Sequence, residues 1–289
     1  MHGDDVSRRG FIGLGALGAV AGAAGCLRKP EETAPRAQPK AQPTPPAPWT
    51  VDLGIQSYSL RNFSFDQAIA KTQQVGLHFI EFFPRHFPQN MKPEELAAAK
   101  QKLAAHQLTA NAYGVCRLTS NEAQARALFD FCKRAGIGVI TAGPTMDSFG
   151  LLDKLVAEYD VKIAIHNHGP GDKHWGRLKQ LVDGTKGHHP HIGVCLDTGH
   201  LIRAGDDPIE AVRALGPRLH GLHFKDVSKD STHDCIVGRG RTDVAAFFAA
   251  CKDVAFDGPC SLEFEIEPKN PMPGIAASLE AIRAAVARV

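Results

Sequence analysis

From Leu53 onward, short runs of apolar or alternating residues recur along the chain, each followed by a loop and then by apolar positions at helical spacing. The runs are LGIQSYS from Leu53, FIEFF from Phe79, TANAYGV from Thr109, GVITAG from Gly138, VKIAIHNH from Val161, IGVCLD from Ile192, LHGLHFK from Leu219 and CSLEFE from Cys260. They predict eight strands. Between them PEELAAAKQKLAAHQ (residues 93–107) carries proline where a helix opens and alanine, leucine and lysine along its length. Residues 122–136, 242–256 and 275–289 repeat that pattern. Strands alternating with helices imply parallel β-α-β units. Eight such units in roughly 240 residues suit a closed (β/α)8 TIM barrel, a fold of about 250 residues. An open doubly wound sheet is the alternative, but no glycine-rich phosphate fingerprint follows the first strand.

The beginning of the chain has a different texture and divides the sequence into three parts: 1–26, 27–49 and 50–289. Arg8 and Arg9 precede an uncharged stretch, Phe11 to Gly25, that is too short and glycine-rich for a membrane span of about 20 residues. It reads as an export signal of the twin-arginine type. AAGC, ending at Cys26, has the form of a lipoprotein cleavage box. The proline-rich stretch that follows has little to bury and reads as an extended tether. The expectation is an exported, periplasmic or membrane-anchored lipoprotein that touches the membrane only through a lipid on Cys26.

Composition adds three points. A chain of 289 residues with 43% hydrophobic and 22% charged content can bury a large core. A formal net charge of +2 does not build a nucleic-acid surface, so no nucleic-acid partner is expected. Fourteen histidines are the compositional oddity, histidine being the commonest metal ligand. The six cysteines beyond Cys26 show no zinc-type spacing and are expected as buried thiols.

In a TIM barrel the chemistry gathers at the C-terminal ends of the strands. Glu81 stands there on strand two, His166 and His168 on strand five, Asp197 in LDTGH on strand six, His223 in LHFKD on strand seven, and Glu263 and Glu265 in SLEFE on strand eight. Period-two alternation puts His166 and His168 on one face, and likewise Glu263 and Glu265. Each has a plain structural reading as well. Asp197 could cap the helix expected near Asp207, and Glu81 could pair with a neighbouring strand. His200 could be a solvated loop residue, and Lys225 could pair with Asp226. His220 competes with His223 but faces the other way.

The order IHNH, LDTGH, LHFKDV, VGRGR and SLEFE resembles the sugar phosphate isomerase/epimerase superfamily, the xylose isomerase-like TIM barrels. The resemblance implies a divalent metal held by residues from four consecutive strands, which here are His166, Asp197, His223 and Glu263. Glu263 is then also the catalytic base. Many relatives carry glutamate at the place of His166, as a ligand and as one of two bases; this chain keeps a ligand there and loses a carboxylate, leaving His168, or Asp172, to supply a second base, with His168 the second catalytic candidate. Glu81, His200, Lys225, Arg239 in VGRGR and Glu265 are the candidate substrate-binding residues. Mixed nitrogen and oxygen ligands suit Mn, Co, Fe or Zn better than Mg.

The resemblance implies a metal-dependent isomerase or epimerase that abstracts a proton next to the carbonyl of a small carbohydrate. Two bases serve epimerisation, whereas one suffices for 1,2-isomerisation or for a keto-sugar lyase or hydratase. A non-catalytic sugar-binding lipoprotein is the reading from another class. A repair endonuclease on the same barrel would need more ligands and a basic groove.

Overall fold

The computed structural model of the protein describes residues 49–289; the export signal, Cys26 and nearly all of the tether lie outside the described residues. In chain order the elements are β1 (Asp52–Gln56), α1 (Phe65–Gln74), β2 (Phe79–Phe82), α2 (Pro93–Ala105), β3 (Thr109–Leu118), α3 (Glu122–Ala135) and β4 (Val139–Pro144). There follow α4 (Phe149–Tyr159), β5 (Lys162–His166), α5 (Leu178–Thr185), β6 (Ile192–Asp197), α6 (Thr198–Ala204), α7 (Pro208–Leu215) and β7 (Leu219–Phe224). The chain closes with β8 (Asp226–Val227), β9 (Asp234–Cys235), α8 (Val244–Asp253), β10 (Pro259–Leu262) and α9 (Met272–Val286). Eight strands form one closed parallel barrel in the order β1-β10-β7-β6-β5-β4-β3-β2. The short pair β8 and β9 is an antiparallel hairpin beyond β7.

Local chemistry sets the element boundaries. Pro93 opens α2, where a missing N–H does no harm, and the Glu95 carboxylate accepts from the Lys92 N–H at 2.8 Å. Asn121 caps α3 by accepting from the Gln124 N–H at 3.1 Å, and Gly136 ends it at φ 81°, a left-handed conformation suited to glycine.

Alternation along the strands then separates two environments. Ile163 and Ile165, Val194 and Leu196, Leu222 and Phe224 join the main core with the helices. Residues of the other parity line the barrel interior, where Ala112, Val139, Ala164 and Cys195 form a cluster of their own. Small side chains at that level leave polar groups to occupy the layer above, so the parity that buries Ile165 and Leu196 against helices turns His166 and Asp197 inward. All six cysteines of the described residues are free thiols. No helix among the described residues is long and apolar enough to cross a membrane.

Candidate metal centre and active site

His166 and Asp197 are the last residues of β5 and β6, His223 lies one position before the end of β7, and Glu263 follows β10 directly. The register places Asp197 beside His223 and Ser261 beside His223 on the other side. A shift in the β6–β7 pairing between Val194 and Cys195 produces the first of these alignments. One ligand-type atom from each of His166, Asp197, His223 and Glu263 lies within 4.8 Å of the others, and all four residues are buried.

The donor set fits a divalent cation. Both ring nitrogens of His166 are buried without a hydrogen-bond partner, an arrangement that would be costly with nothing to coordinate, while Oδ2 of Asp197 and Nδ1 of His223 have ionic neighbours, Lys225 Nζ and Glu263 Oε2, each at 3.1 Å. Charge points the same way. Glu81, Asp197 and Glu263 are buried carboxylates, and Lys225 is the one buried ammonium beside them. Burial opposes protonation of His223, but Cys195, Glu81 and Glu263 outweigh it and hold its imidazole well above the usual range. A divalent ion that displaced the His223 proton would balance the three carboxylates together with Lys225. Burial pushes the His166 imidazole down to about 4, so it stands neutral with a lone pair to offer. For Asp197 burial favours the neutral acid, but Lys225 and His166 outweigh it and hold the carboxyl well below the usual range. Burial likewise opposes ionisation of Glu263, and Lys225 and His223 again win and lower it.

Asp197 does two jobs. Its Oδ1 accepts from the His200 N–H at 2.7 Å and caps α6, while Oδ2 faces His166 Nε2 at 3.5 Å and Lys225 Nζ at 3.1 Å. The helix it caps begins at the very next residue, not near Asp207, so the capping reading describes Oδ1 and leaves Oδ2 facing the cluster.

Above the cluster lies a cavity of about 380 Å³ lined in part by Gln56, Tyr58, Phe83, His168, His200, Lys225, Glu263 and Glu265. Of the candidate substrate-binding residues, His200, Lys225 and Glu265 line it. Lys225 pairs with Glu265 and with Glu263 Oε2 at 2.9 Å, and not with Asp226. His168 sits on the rim with its side chain 47% exposed, its ring 4.5 Å from that of His166 and its Nδ1 3.9 Å from Asp172 Oδ2. His166 is thus deep and His168 toward solvent.

Glu81 and Arg239 fall elsewhere. Glu81 is 1% exposed beneath the cluster, and its Oε2 accepts from His223 Nε2 and from Ser261 Oγ, each at 2.9 Å, so it presents nothing to the cavity. Arg239 is exposed and lines no part of the cavity. The glycines flanking it serve Asp226 instead: the Asp226 carboxylate accepts from the N–H groups of Gly238, Gly240 and Thr242. A Cβ on Gly240 would stand 2.2 Å from Asp226 Oδ1, so only glycine lets the loop dock there.

Two contributors have no signal of their own in the sequence. Asn167, between the two histidines, donates from Nδ2 to the Asp197 carbonyl at 3.0 Å and accepts from the Asp197 N–H at 2.8 Å, locking the ends of β5 and β6 together. Gln56 is buried in the cavity wall and donates to the Gly114 carbonyl at 3.1 Å. The central asparagine of HNH could have suggested the clamp, but its partner on β6 is set only by barrel closure.

His220 stands outside the cluster, its Nδ1 3.1 Å from the Ile163 carbonyl, and burial pushes its imidazole down to about 4. Unfolding exposes it to proton uptake near its ordinary value, so its neutral buried form stabilises the fold above about pH 6.5 and that contribution is lost as pH falls toward 4. This single group is expected to remove about 2 kcal/mol of stability between pH 7 and pH 5. Urea unfolding of the wild type and of His220→Gln at both pH values checks this: the variant should lose less on acidification by that amount, and equal losses would contradict it.

The fold and the site together define an α/β barrel with a buried, metal-competent cluster at the C-terminal ends of its strands. The profile of the xylose isomerase-like TIM barrel family matches residues 69–285, and the chain belongs to that family. Among curated proteins it is 30% identical over 122 residues to YfiH of Bacillus subtilis (strain 168), covering 34% of this chain and 39% of that protein. It is 28% identical over 114 residues to inosose dehydratase 1 of Bacillus cereus, covering 39% and 36% of the two chains. The matched regions thus span well under half of these relatives. Among solved structures, D-psicose 3-epimerase with D-tagatose from Clostridium cellulolyticum shares the fold at a TM-score of 0.67 and 16% identity, over 81% of this chain and 99% of that one.

Proposed function

We propose that the protein is a metal-dependent isomerase or epimerase that acts on a sugar or keto-sugar by removing a proton from the carbon next to a carbonyl. The observation that carries this reading is the convergence of His166, Asp197, His223 and Glu263, with Glu263 also lining a cavity whose wall bears His168, His200, Lys225 and Glu265. His166, Asp197, His223 and Glu263 would hold a divalent ion, which would supply electrostatic stabilisation of charge on the carbonyl oxygen. Glu263, held ionised by Lys225 and His223, takes the proton. Lys225 fixes the Glu263 and Glu265 carboxylates relative to each other, and His200 and Glu265 meet the substrate hydroxyls. His168, on the rim with Asp172 behind it, is the group placed to handle a proton from the other side.

A lyase or dehydratase reading has its own support. His166 stands where a second carboxylate base would serve two-sided epimerisation, whereas one base suffices for β-elimination. The region shared with an inosose dehydratase agrees with such chemistry. The cavity also continues past Val115 and His168 into a groove of about 760 Å³, with room for a leaving substituent.

Incubating the metal-loaded full chain in D₂O with a panel of unphosphorylated sugars and keto-glycosides tests both readings. The expected result is deuterium at the carbon next to the carbonyl in at least one compound. A rearranged or inverted sugar identifies the isomerase or epimerase, and an unsaturated or cleaved product identifies the lyase. Binding without exchange across the panel would instead favour a sugar-binding protein and contradict the proposal.

A further inference from the structure

Glu81 is a costly group to keep where it is. It is a carboxylate buried inside the barrel, 1% exposed, on a strand separated from β7 by β1 and β10. It does not line the cavity, so contact with substrate does not explain it. What it does touch is specific: its Oε2 lies 2.9 Å from His223 Nε2 and 2.9 Å from the hydroxyl of Ser261, the residue beside His223 in register.

His223 is fully buried and has a carboxylate on each side. Glu81 faces Nε2, and Glu263 Oε2 lies 3.1 Å from Nδ1. As a metal ligand the imidazole keeps one proton, and its position decides which nitrogen can donate a lone pair. With the proton on Nδ1 the ring would bond Glu263 and offer its lone pair to Glu81, away from the cluster. With the proton on Nε2 the ring bonds Glu81 and offers Nδ1 to the cluster, where Asp197 and Glu263 also point.

We propose that Glu81 is the positioning residue of the metal centre: by accepting the Nε2–H of His223, with Ser261 holding the carboxylate in place, it makes Nδ1 the ligating atom. The inference rests on the metal site of the proposed function and deepens it. It removes Glu81 from the substrate-binding residues and gives the site a carboxylate–histidine–metal relay of the kind whose loss weakens metal affinity by about ten- to a hundredfold.

The test uses Co²⁺ as probe, with the full-length wild type, Glu81→Gln and Glu81→Ala, and needs no substrate. Chelator competition should show Co²⁺ dissociation constants raised about ten- to a hundredfold in Glu81→Ala, with an altered visible Co²⁺ spectrum and unchanged far-UV circular dichroism, and raised less in Glu81→Gln, whose amide oxygen can still accept the Nε2–H. Wild-type affinity and spectrum in a folded Glu81→Ala would overturn the assignment. If Glu81→Ala does not fold, the decision passes to wild-type protein carrying ¹⁵N-labelled histidine rings and loaded with Zn²⁺. One slowly exchanging Nε2–H on His223 is expected, and a protonated Nδ1 with Nε2 ligating would overturn the proposal. Wild-type protein that binds neither ion contradicts the metal site itself, and with it this inference. Tight wild-type binding that ignores Glu81 removes the inference alone.

Discussion

Asp197→Asn is expected to lower affinity for a divalent transition ion by more than about a hundredfold while leaving the barrel folded, a larger effect than the loss of a residue that only supports a ligand. The asymmetry between the two oxygens of Asp197 makes this substitution informative. Asparagine keeps a carbonyl oxygen that can accept from the His200 N–H, so the cap of α6 survives. At the Oδ2 position it puts an N–H₂ group facing Lys225 Nζ and His166 Nε2, where a ligand oxygen is needed. Lys225 retains Glu263 and Glu265 as partners, which limits the damage to folding. Asp197→Ala would remove the cap as well, at an additional cost of about 1 kcal/mol, and so would mix a stability effect into the metal result. Equilibrium dialysis with Co²⁺ and a thermal melt of the metal-free protein separate the two.

Glu263→Gln is expected to suppress solvent-deuterium incorporation by about 10²- to 10⁴-fold, the range for loss of a positioned general base. The amide keeps the shape of the side chain and cannot accept the proton. Because Glu263 is also a ligand, metal binding should weaken in the same variant, and exchange must therefore be measured at saturating metal. His168→Ala is the comparison. His168 lies on the rim and holds none of the four ligand atoms, so its removal should leave metal affinity unchanged. If exchange persists in Glu263→Gln and disappears in metal-loaded His168→Ala, the base is His168 and the roles assigned here are reversed.

The alternation of apolar positions carried most of the fold. Each run from LGIQ to CSLE supplies a barrel strand because one parity must meet the helices and the other the interior, and that requirement is written locally. The hairpin β8–β9 is invisible by the same logic, since two-residue strands have no period. The four clustered residues emerged from their positions at strand ends together with the resemblance between motifs. What stayed hidden depends on distances across the closed barrel. Glu81 sits at a strand end like the others, but only the meeting of β2 with β7 and β10 side chains shows that it supports His223. Arg239 drew attention because glycines flank it, yet those glycines answer to Asp226. Lys225 and Asp226, adjacent in sequence, point in opposite directions along an extended backbone, and neither the pairing of Lys225 with Glu265 nor the docking of the loop on Asp226 can be read from their neighbourhood.

On the proposed reading, His166, Asp197, His223 and Glu263 form one metal site. Titration of metal-free wild-type protein with Co²⁺, followed by visible absorption, tests it most directly. Saturation is expected at one Co²⁺ per chain, with a ligand-field spectrum of mixed nitrogen and oxygen coordination that is absent in Asp197→Asn. No saturable spectrum in the wild type, or the same spectrum and stoichiometry in Asp197→Asn, would contradict it.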